Sequence, residues 1–162
     1  MCKRDSIRIM VASTQAADRL GLTIIIDSQP DMEVIAQTGS VPEAMQLLFA
    51  HLPDLTLIEA SLVDDGVAEA LARLRRQHPR CRFLVYAMYE AEESVQRALR
   101  AGAEGCVLKG TAHCDLLQAI RTVHAGGQYA PVVNPSSPSR EGPSVVERGS
   151  TNTTVGTRFR AP

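Results

Sequence analysis

Along the first 130 residues the apolar positions switch repeatedly between two patterns, short continuous runs and stripes at helical spacing. Ile7-Arg8-Ile9-Met10-Val11-Ala12 is a run apolar enough for a strand buried on both faces. It leads into a predicted helix over about Gln15 to Asp27, with Ser13 or Thr14 as its N-cap and an inward stripe of Leu20, Ile24 and Ile25. Gln29-Pro30-Asp31 stops that helix, and Met32 to Ala36 reads as a second strand. Ser40, with Glu43 three residues on, has the capping-box pattern of a second helix whose core face is Ala44, Leu47 and Leu48.

Pro53-Asp54-Leu55-Thr56-Leu57-Ile58-Glu59 is a third strand, an apolar run that ends in a carboxylate. Asp64-Asp65-Gly66 predicts a turn before a helix from Val67 to about His78, with Leu71 and Leu74 inward and Arg73, Arg75 and Arg76 toward water. Arg82 to Ala87 is a fourth strand and Glu92 to Ala101 a fourth helix, closed by Gly102. Gly105 to Leu108 is a fifth strand ending at Lys109, and Thr111 is the predicted cap of a last helix running to about His124. Its apolar stripe is Leu116, Leu117, Ile120 and Val123, and Gly126-Gly127 ends it. Five strand–helix units with short connections predict an α/β domain, a doubly wound five-stranded parallel sheet. In such sheets ligands bind beyond the carboxyl ends of the strands, which is where Glu59 falls.

Composition narrows this picture little. Hydrophobic residues make up 44% of the 162-residue chain and aromatic residues only 4%, so the core is aliphatic. A net charge of −1 gives no overall attraction to nucleic acid or anionic membrane. Cys2, Cys81, Cys106 and Cys114 form no CxxC pair, which fits reduced thiols in a cytoplasmic protein. The polar N-terminus predicts no signal peptide, and no apolar run reaches membrane-spanning length. After about residue 130 the composition changes: residues 131–162 hold five of the nine prolines and four Arg against two Glu. A domain over 1–130 followed by a flexible tail over 131–162 is the expected organisation.

The chain resembles a bacterial response-regulator receiver domain of the NarL/LuxR class over about residues 7–130. The resemblance is carried by Ser28-Gln29-Pro30-Asp31-Met32-Glu33-Val34, Pro53-Asp54-Leu55, Arg97-Ala98-Leu99-Arg100-Ala101-Gly102-Ala103-Glu104-Gly105, and Val107-Leu108-Lys109 with Leu116-Leu117-Gln118-Ala119-Ile120-Arg121. It implies a flavodoxin/receiver-like fold and a phosphorelay machine. In that machine two acids after the first strand and an Asp ending the third bind a divalent metal, and the Asp takes a phosphoryl group from a histidine kinase. A Lys after the fifth strand contacts the phosphate, while a strand-four hydroxyl and a strand-five aromatic report its arrival. The hard cation offsets the repulsion between phosphate and carboxylates.

Carried onto this chain, the resemblance finds most of those positions changed. Ser13 and Thr14 stand at the acid pair, Glu59 at the phosphoacceptor, Ala87 at the hydroxyl and Cys106 at the aromatic; Lys109 alone is kept. Neutral hydroxyls are poor Mg²⁺ anchors, with the Ser61 carbonyl the only further ligand on offer, so metal binding is expected to be lost or very weak and no cofactor is implied. A Glu is one methylene longer than an Asp, displacing its oxygens from the in-line geometry that phosphoryl transfer needs. Two readings of Glu59 stay open: a fixed ion pair with Lys109, or an imitation of the phosphorylated Asp.

Other residues carry weaker signals. Asp64 and Asp65 are a turn rather than a metal site, and His51, His78 and His124 suit helix C-termini, where a cation complements the dipole; His113 does not. Ser61 has no His-Asp arrangement, Cys106 reads as a small buried hydrophobe, and no Gly-rich phosphate loop follows a strand. An enzyme using Glu59 as a base lacks a second catalytic group. In the tail, Ser139-Arg140-Glu141 and Val145 to Asn152, then Val155 and Phe159, resemble a worn start of a helix-turn-helix module. Gly142 and Pro143 interrupt its first helix, and no recognition helix follows before Pro162. The expected function is therefore a phosphorylation-independent receiver, not an enzyme, acting by contacts with a histidine kinase, another response regulator or a second copy of itself. The alternative is a LuxR-type regulator component holding DNA weakly through its tail, marked by salt-dependent, sequence-indifferent association.

Overall fold

Each short apolar run is separated from the next by a helix, which is the crossover connection that parallel pairing needs. The computed structural model describes residues 5–89 and 92–130 and shows this directly. Strands β1 (Ile7–Ala12), β2 (Met32–Thr38), β3 (Leu55–Glu59), β4 (Arg82–Ala87) and β5 (Gly105–Leu108) form one sheet in the order β2-β1-β3-β4-β5, every pairing parallel. Helices α1 (Ala16–Asp27) and α5 (His113–His124) cover one face, where Leu22, Ile26, Leu116, Leu117, Ile120 and Val123 pack with Ile9, Val11, Leu57 and Leu84. Helices α2 (Val41–His51), α3 (Asp65–Gln77) and α4 (Glu93–Arg100) cover the other, with Leu48, Leu71, Leu74 and Val95 packed with Met10, Ile58, Phe83 and Val85. This is the doubly wound architecture the alternation predicts. Among the described residues no helix is long and apolar enough to cross a membrane.

Strand order reverses between β1 and β3, and the crevice of such a sheet opens over the carboxyl ends of the strands at that reversal. Ser13-Thr14 leaves one lip and Glu59 ends the other. All five residues of β3 are buried, so Glu59 is held from behind by a strand that cannot shift without exposing the core.

Several local expectations need correcting. Leu20 and Ile24 do not face the core: each is 62% exposed, and the buried residues of α1 are Leu22 and Ile26. Neither Ser13 nor Thr14 caps α1; its N-cap is Gln15, without a side-chain bond, because the two hydroxyls are drawn elsewhere. Thr111 likewise does not cap α5, which starts after Ala112. The capping box at α2 is half formed. Ser40 accepts from the Glu43 N–H, but the Glu43 carboxylate accepts from the Thr38 hydroxyl instead of reaching back. Asp64 is the N-cap of α3, accepting from Val67 N at 2.8 Å, so Asp65 and Gly66 lie in the first helical turn. The tail features over 131–162, including the helix-turn-helix resemblance and its DNA association, fall outside the described residues.

After α5 the chain returns along β5. Tyr129 pairs in parallel with Gly105, donating to the Glu104 carbonyl at 2.9 Å and accepting from Cys106 N at 3.2 Å. Gly105 is needed there for space: a Cβ would overlap the Tyr129 carbonyl and stand 2.8 Å from its carbon. Gly105→Ala is expected to detach the Tyr129 pairing and cost about 1–3 kcal/mol. Amide hydrogen exchange checks it, with protection lost at Tyr129 and Cys106 while the β1 and β3 amides stay protected.

Candidate functional site

Glu59 is 7% exposed, yet both of its carboxylate oxygens are satisfied. Oε2 accepts three hydrogen bonds: from Ser13 Oγ at 2.9 Å, from Thr14 N at 2.7 Å and from Thr14 Oγ1 at 2.8 Å. Oε1 accepts from Lys109 Nζ at 2.7 Å. The hydroxyls at 13 and 14 therefore act as donors to a carboxylate, where acids would have repelled it. Ser13 Oγ also accepts from Gln15 N at 3.2 Å, a local turn bond just ahead of α1 that caps none of its N–H groups. Burial pushes the Glu59 carboxyl up, but the bonds from Lys109, Thr14 and Ser13 outweigh that and hold its pKa down at about 2.

Lys109 bridges two acids. Besides Glu59 it donates to Asp18 Oδ2 at 2.8 Å, and its ammonium lies 5.3 Å from the centre of the Tyr86 ring. Burial lowers the Lys109 pKa, while Asp18 and Glu59 raise it by more, so the net shift is upward and the ammonium is fixed. Asp18 is absent from the residues singled out in the sequence. It reads there as an ordinary acid in the first turn of a helix, and its partner lies 91 residues away. The assembly thus ties the loop after β1, the end of β3, the loop after β5 and the first turn of α1 into one network.

Ala87 is buried at the end of β4, where its carbonyl accepts from Lys109 N at 2.7 Å and its methyl offers no hydroxyl. Cys106 is buried in the cluster under α4. Asp65 is paired with Arg97 Nε at 2.7 Å, outside the Glu59 network. Among the described residues no group of three or more His, Cys, Asp or Glu could hold a metal ion. The groups around Glu59 also argue against one: an amide N–H, two hydroxyls and an ammonium present hydrogens, whereas a hard divalent cation needs oxygen lone pairs. Of the four histidines, His51, His78 and His124 lie at the C-terminal ends of α2, α3 and α5, while His113 begins α5.

A second buried carboxylate sits at the opposite edge of the sheet. Glu104, 6% exposed, accepts from Phe83 N at 2.8 Å and pairs with the guanidinium groups of Arg75 and Arg82. Arg75 therefore turns toward β5 rather than to water as its place on α3 suggests. An acid just before β5, with arginines in the last turn of α3 and at the start of β4, is the sequence signal that could have found it.

The response regulator receiver domain family matches residues 9–121. The chain is 34% identical over 124 residues to the oxygen regulatory protein NreC of Staphylococcus haemolyticus (strain JCSC1435), covering 75% of this chain and 57% of that protein. It is 32% identical over 149 residues to NreC of Staphylococcus aureus (strain JH9), covering 91% of this chain and 68% of that protein. The chain thus spans little more than half the length of the first of these relatives. Among solved structures, a LuxR-family two-component response regulator from Aurantimonas sp. SI85-9A1 superposes with a TM-score of 0.67 at 28% identity, covering 78% of this chain and 89% of that one. The receiver domain of the putative response regulator NarL from Mycobacterium tuberculosis shares the fold, with a TM-score of 0.66 at 23% identity over 75% of this chain and 98% of that one. A family match across the sheet and its helices, with a third of the aligned residues identical to those of NreC, places this chain in the response regulator receiver family of two-component signalling, among relatives of the NarL/LuxR class.

Proposed function

We propose that this receiver works without phosphoryl transfer or Mg²⁺, held in one state and acting in the cytoplasm through contacts with other proteins. The single observation that carries this reading is the saturation of Glu59. A carboxylate oxygen must be free to attack phosphorus in line, and here one oxygen accepts three hydrogen bonds and the other accepts from Lys109. Lys109 supplies the counter-charge that a metal would otherwise bring. With no second catalytic group in the network, the site does no chemistry, and the reading is of a binding module rather than an enzyme. Its partner is a histidine kinase, another response regulator or a second copy of the chain. The imitation of a phosphorylated Asp draws on the Glu59–Lys109 contact alone. It lacks a hydroxyl at Ala87 to register the change.

The test is incubation of the purified chain with Mg²⁺ and acetyl phosphate, followed by intact mass. The natural protein is expected to gain no phosphoryl group, whereas a variant carrying Ser13→Asp, Thr14→Asp and Glu59→Asp gains one. An acid-labile adduct on the natural protein overturns the proposal.

A further inference from the structure

Two cavities of about 330 Å³ each lie at the amino-terminal ends of β3 and β4, the opposite end of the sheet from Glu59. They share Asp54 and Arg80 as a common wall, so they form one depression in two halves. Leu52, Pro53, Pro79 and Cys81 give the first half an apolar lining, with the Gln77 amide among them. Arg82 and His124 line the second half with N–H donors. Leu52 stands at φ 43°, the one non-glycine residue with a positive φ among the described residues. Glycine or asparagine fills such a helix end at less cost, yet here a side chain is kept that lines the cavity.

Charge collects at the same place. Arg73 to Arg82 holds five arginines and no acid. Arg75 and Arg82 pair with Glu104, and Arg73 lies over the Phe49 ring at 5.6 Å. Arg80 is exposed, and its side chain makes no hydrogen bond or ion pair among the described residues. The Arg82 bond to Glu104 is long, 3.4 Å, and leaves the other guanidinium N–H groups unused. Asp54 Oδ2 accepts from Arg8 N at 2.9 Å, while Oδ1 accepts nothing among the described residues.

We infer that this depression binds a nucleoside monophosphate, with the base in the apolar half and the phosphate in the cationic half. A phosphate needs convergent donors on a positive ground, and Arg80, Arg82 and His124 supply them from a loop, a strand and a helix end. A base needs apolar walls against its faces and a few polar groups along its edge. The two prolines, Leu52 and Cys81 are the walls; the Gln77 amide and Asp54 Oδ1 are the edge groups, Asp54 accepting from an N–H of the base. The Asp54 carboxylate also repels the phosphate from the first half, which fixes the orientation. Cys81 acts as a wall and not as a nucleophile, since burial pushes its thiol up. The site uses no residue of the Glu59–Lys109–Asp18 latch, so it stands or falls separately from the phosphorylation-independent reading.

The experiment is titration of the isotopically labelled full chain with AMP and GMP to about 5 mM, read by amide NMR, with adenosine and inorganic phosphate as controls. At least one nucleotide is expected to shift the amides of Leu52, Asp54, Gln77, Arg80 and Cys81 saturably, leaving those of Thr14, Glu59 and Lys109 unmoved. That nucleotide is expected to bind about tenfold or more tightly than adenosine or phosphate, because each control fills one half only. Arg80→Ser with His124→Asn is expected to weaken it about tenfold to a hundredfold through lost charge-assisted bonds. The circular dichroism spectrum of that variant stays unchanged, since both side chains are exposed. No saturable shift with either nucleotide overturns the inference, as does binding indifferent to the double variant. Inorganic phosphate binding as tightly as the nucleotides overturns it in favour of a simple anion site, and adenosine doing so in favour of a purely apolar one.

Discussion

Lowering the pH from 7 to 2 is expected to remove about 3 kcal/mol of folding stability through Glu59 alone, and Glu59→Gln to remove about 2–4 kcal/mol at pH 7. The folded-state pKa of about 2 lies below the ordinary value of 4.5. A group depressed on folding stabilises fully above its unfolded pKa, and loses that contribution as protons are forced onto the folded state. The window is therefore from about pH 4.5 down to about pH 2, and stability falls as the pH falls. Asp31, whose bond from Arg121 lowers its pKa, acts in the same direction, so the natural protein's own acid curve does not isolate Glu59. The difference between the natural chain and Glu59→Gln does. Urea unfolding at a series of pH values is expected to show that difference at its largest above pH 5 and close to zero at pH 2. Because Glu59 is only 7% exposed, the difference at pH 7 also persists in high salt. A constant difference across the pH range, or one below about 0.5 kcal/mol at pH 7, means that the carboxylate is not held as its geometry shows.

The sheet was legible because each strand is a largely apolar stretch of four to seven residues, too short for a helix, set between stretches with helical spacing. What the sequence left ambiguous has particular causes. In α1 both Leu20-Ile24 and Leu22-Ile26 keep helical spacing, and spacing alone does not say which stripe meets the sheet; the position of β1 and β3 beneath the helix decides it. Ser13 and Thr14 are well placed to cap α1, but Glu59, brought alongside by the β1–β3 pairing, competes for the same hydroxyls and as a buried anion it wins. Lys109 opposite Glu59 was an expectation drawn from strand ends. Asp18 as its second partner was not, since an acid in the first turn of a helix is already explained by the dipole. The Glu104 cluster was hidden for a similar reason: Arg75 sits in the last turn of α3, where an arginine has an ordinary reason to be.

That cluster carries the other large expected effect. Glu104→Ala leaves Arg75 and Arg82 facing each other without a counter-charge and the Phe83 N–H without its acceptor, at the edge where β4 and β5 begin. Breaking a buried pair from one side costs about 3–5 kcal/mol, because the surviving charge stays desolvated. The guanidinium side chains are 30% and 24% exposed, so they can swing partly into water, which puts the expected cost near 3 kcal/mol. Burial and the nearby Arg82 charge already lower the Arg75 pKa, a sign that the two cations crowd each other even with the carboxylate in place. Glu104→Gln keeps an acceptor for Phe83 and is expected to cost less than Glu104→Ala. Adding Arg75→Met to Glu104→Ala is expected to recover part of the loss, since it removes one of the unpaired charges. The Arg121–Asp31 pair, 43% exposed on both sides, sets the scale for contrast, at about 0–1 kcal/mol on Arg121→Ala. Urea unfolding with an unchanged slope measures all four variants. A Glu104→Ala cost no larger than that of Arg121→Ala would show that the buried carboxylate contributes no more than a surface one. The cluster lies at the far edge of the sheet from Glu59, so Glu104→Gln is also the control that separates lost stability from a lost latch: it is expected to leave the acid-sensitive difference at Glu59 intact.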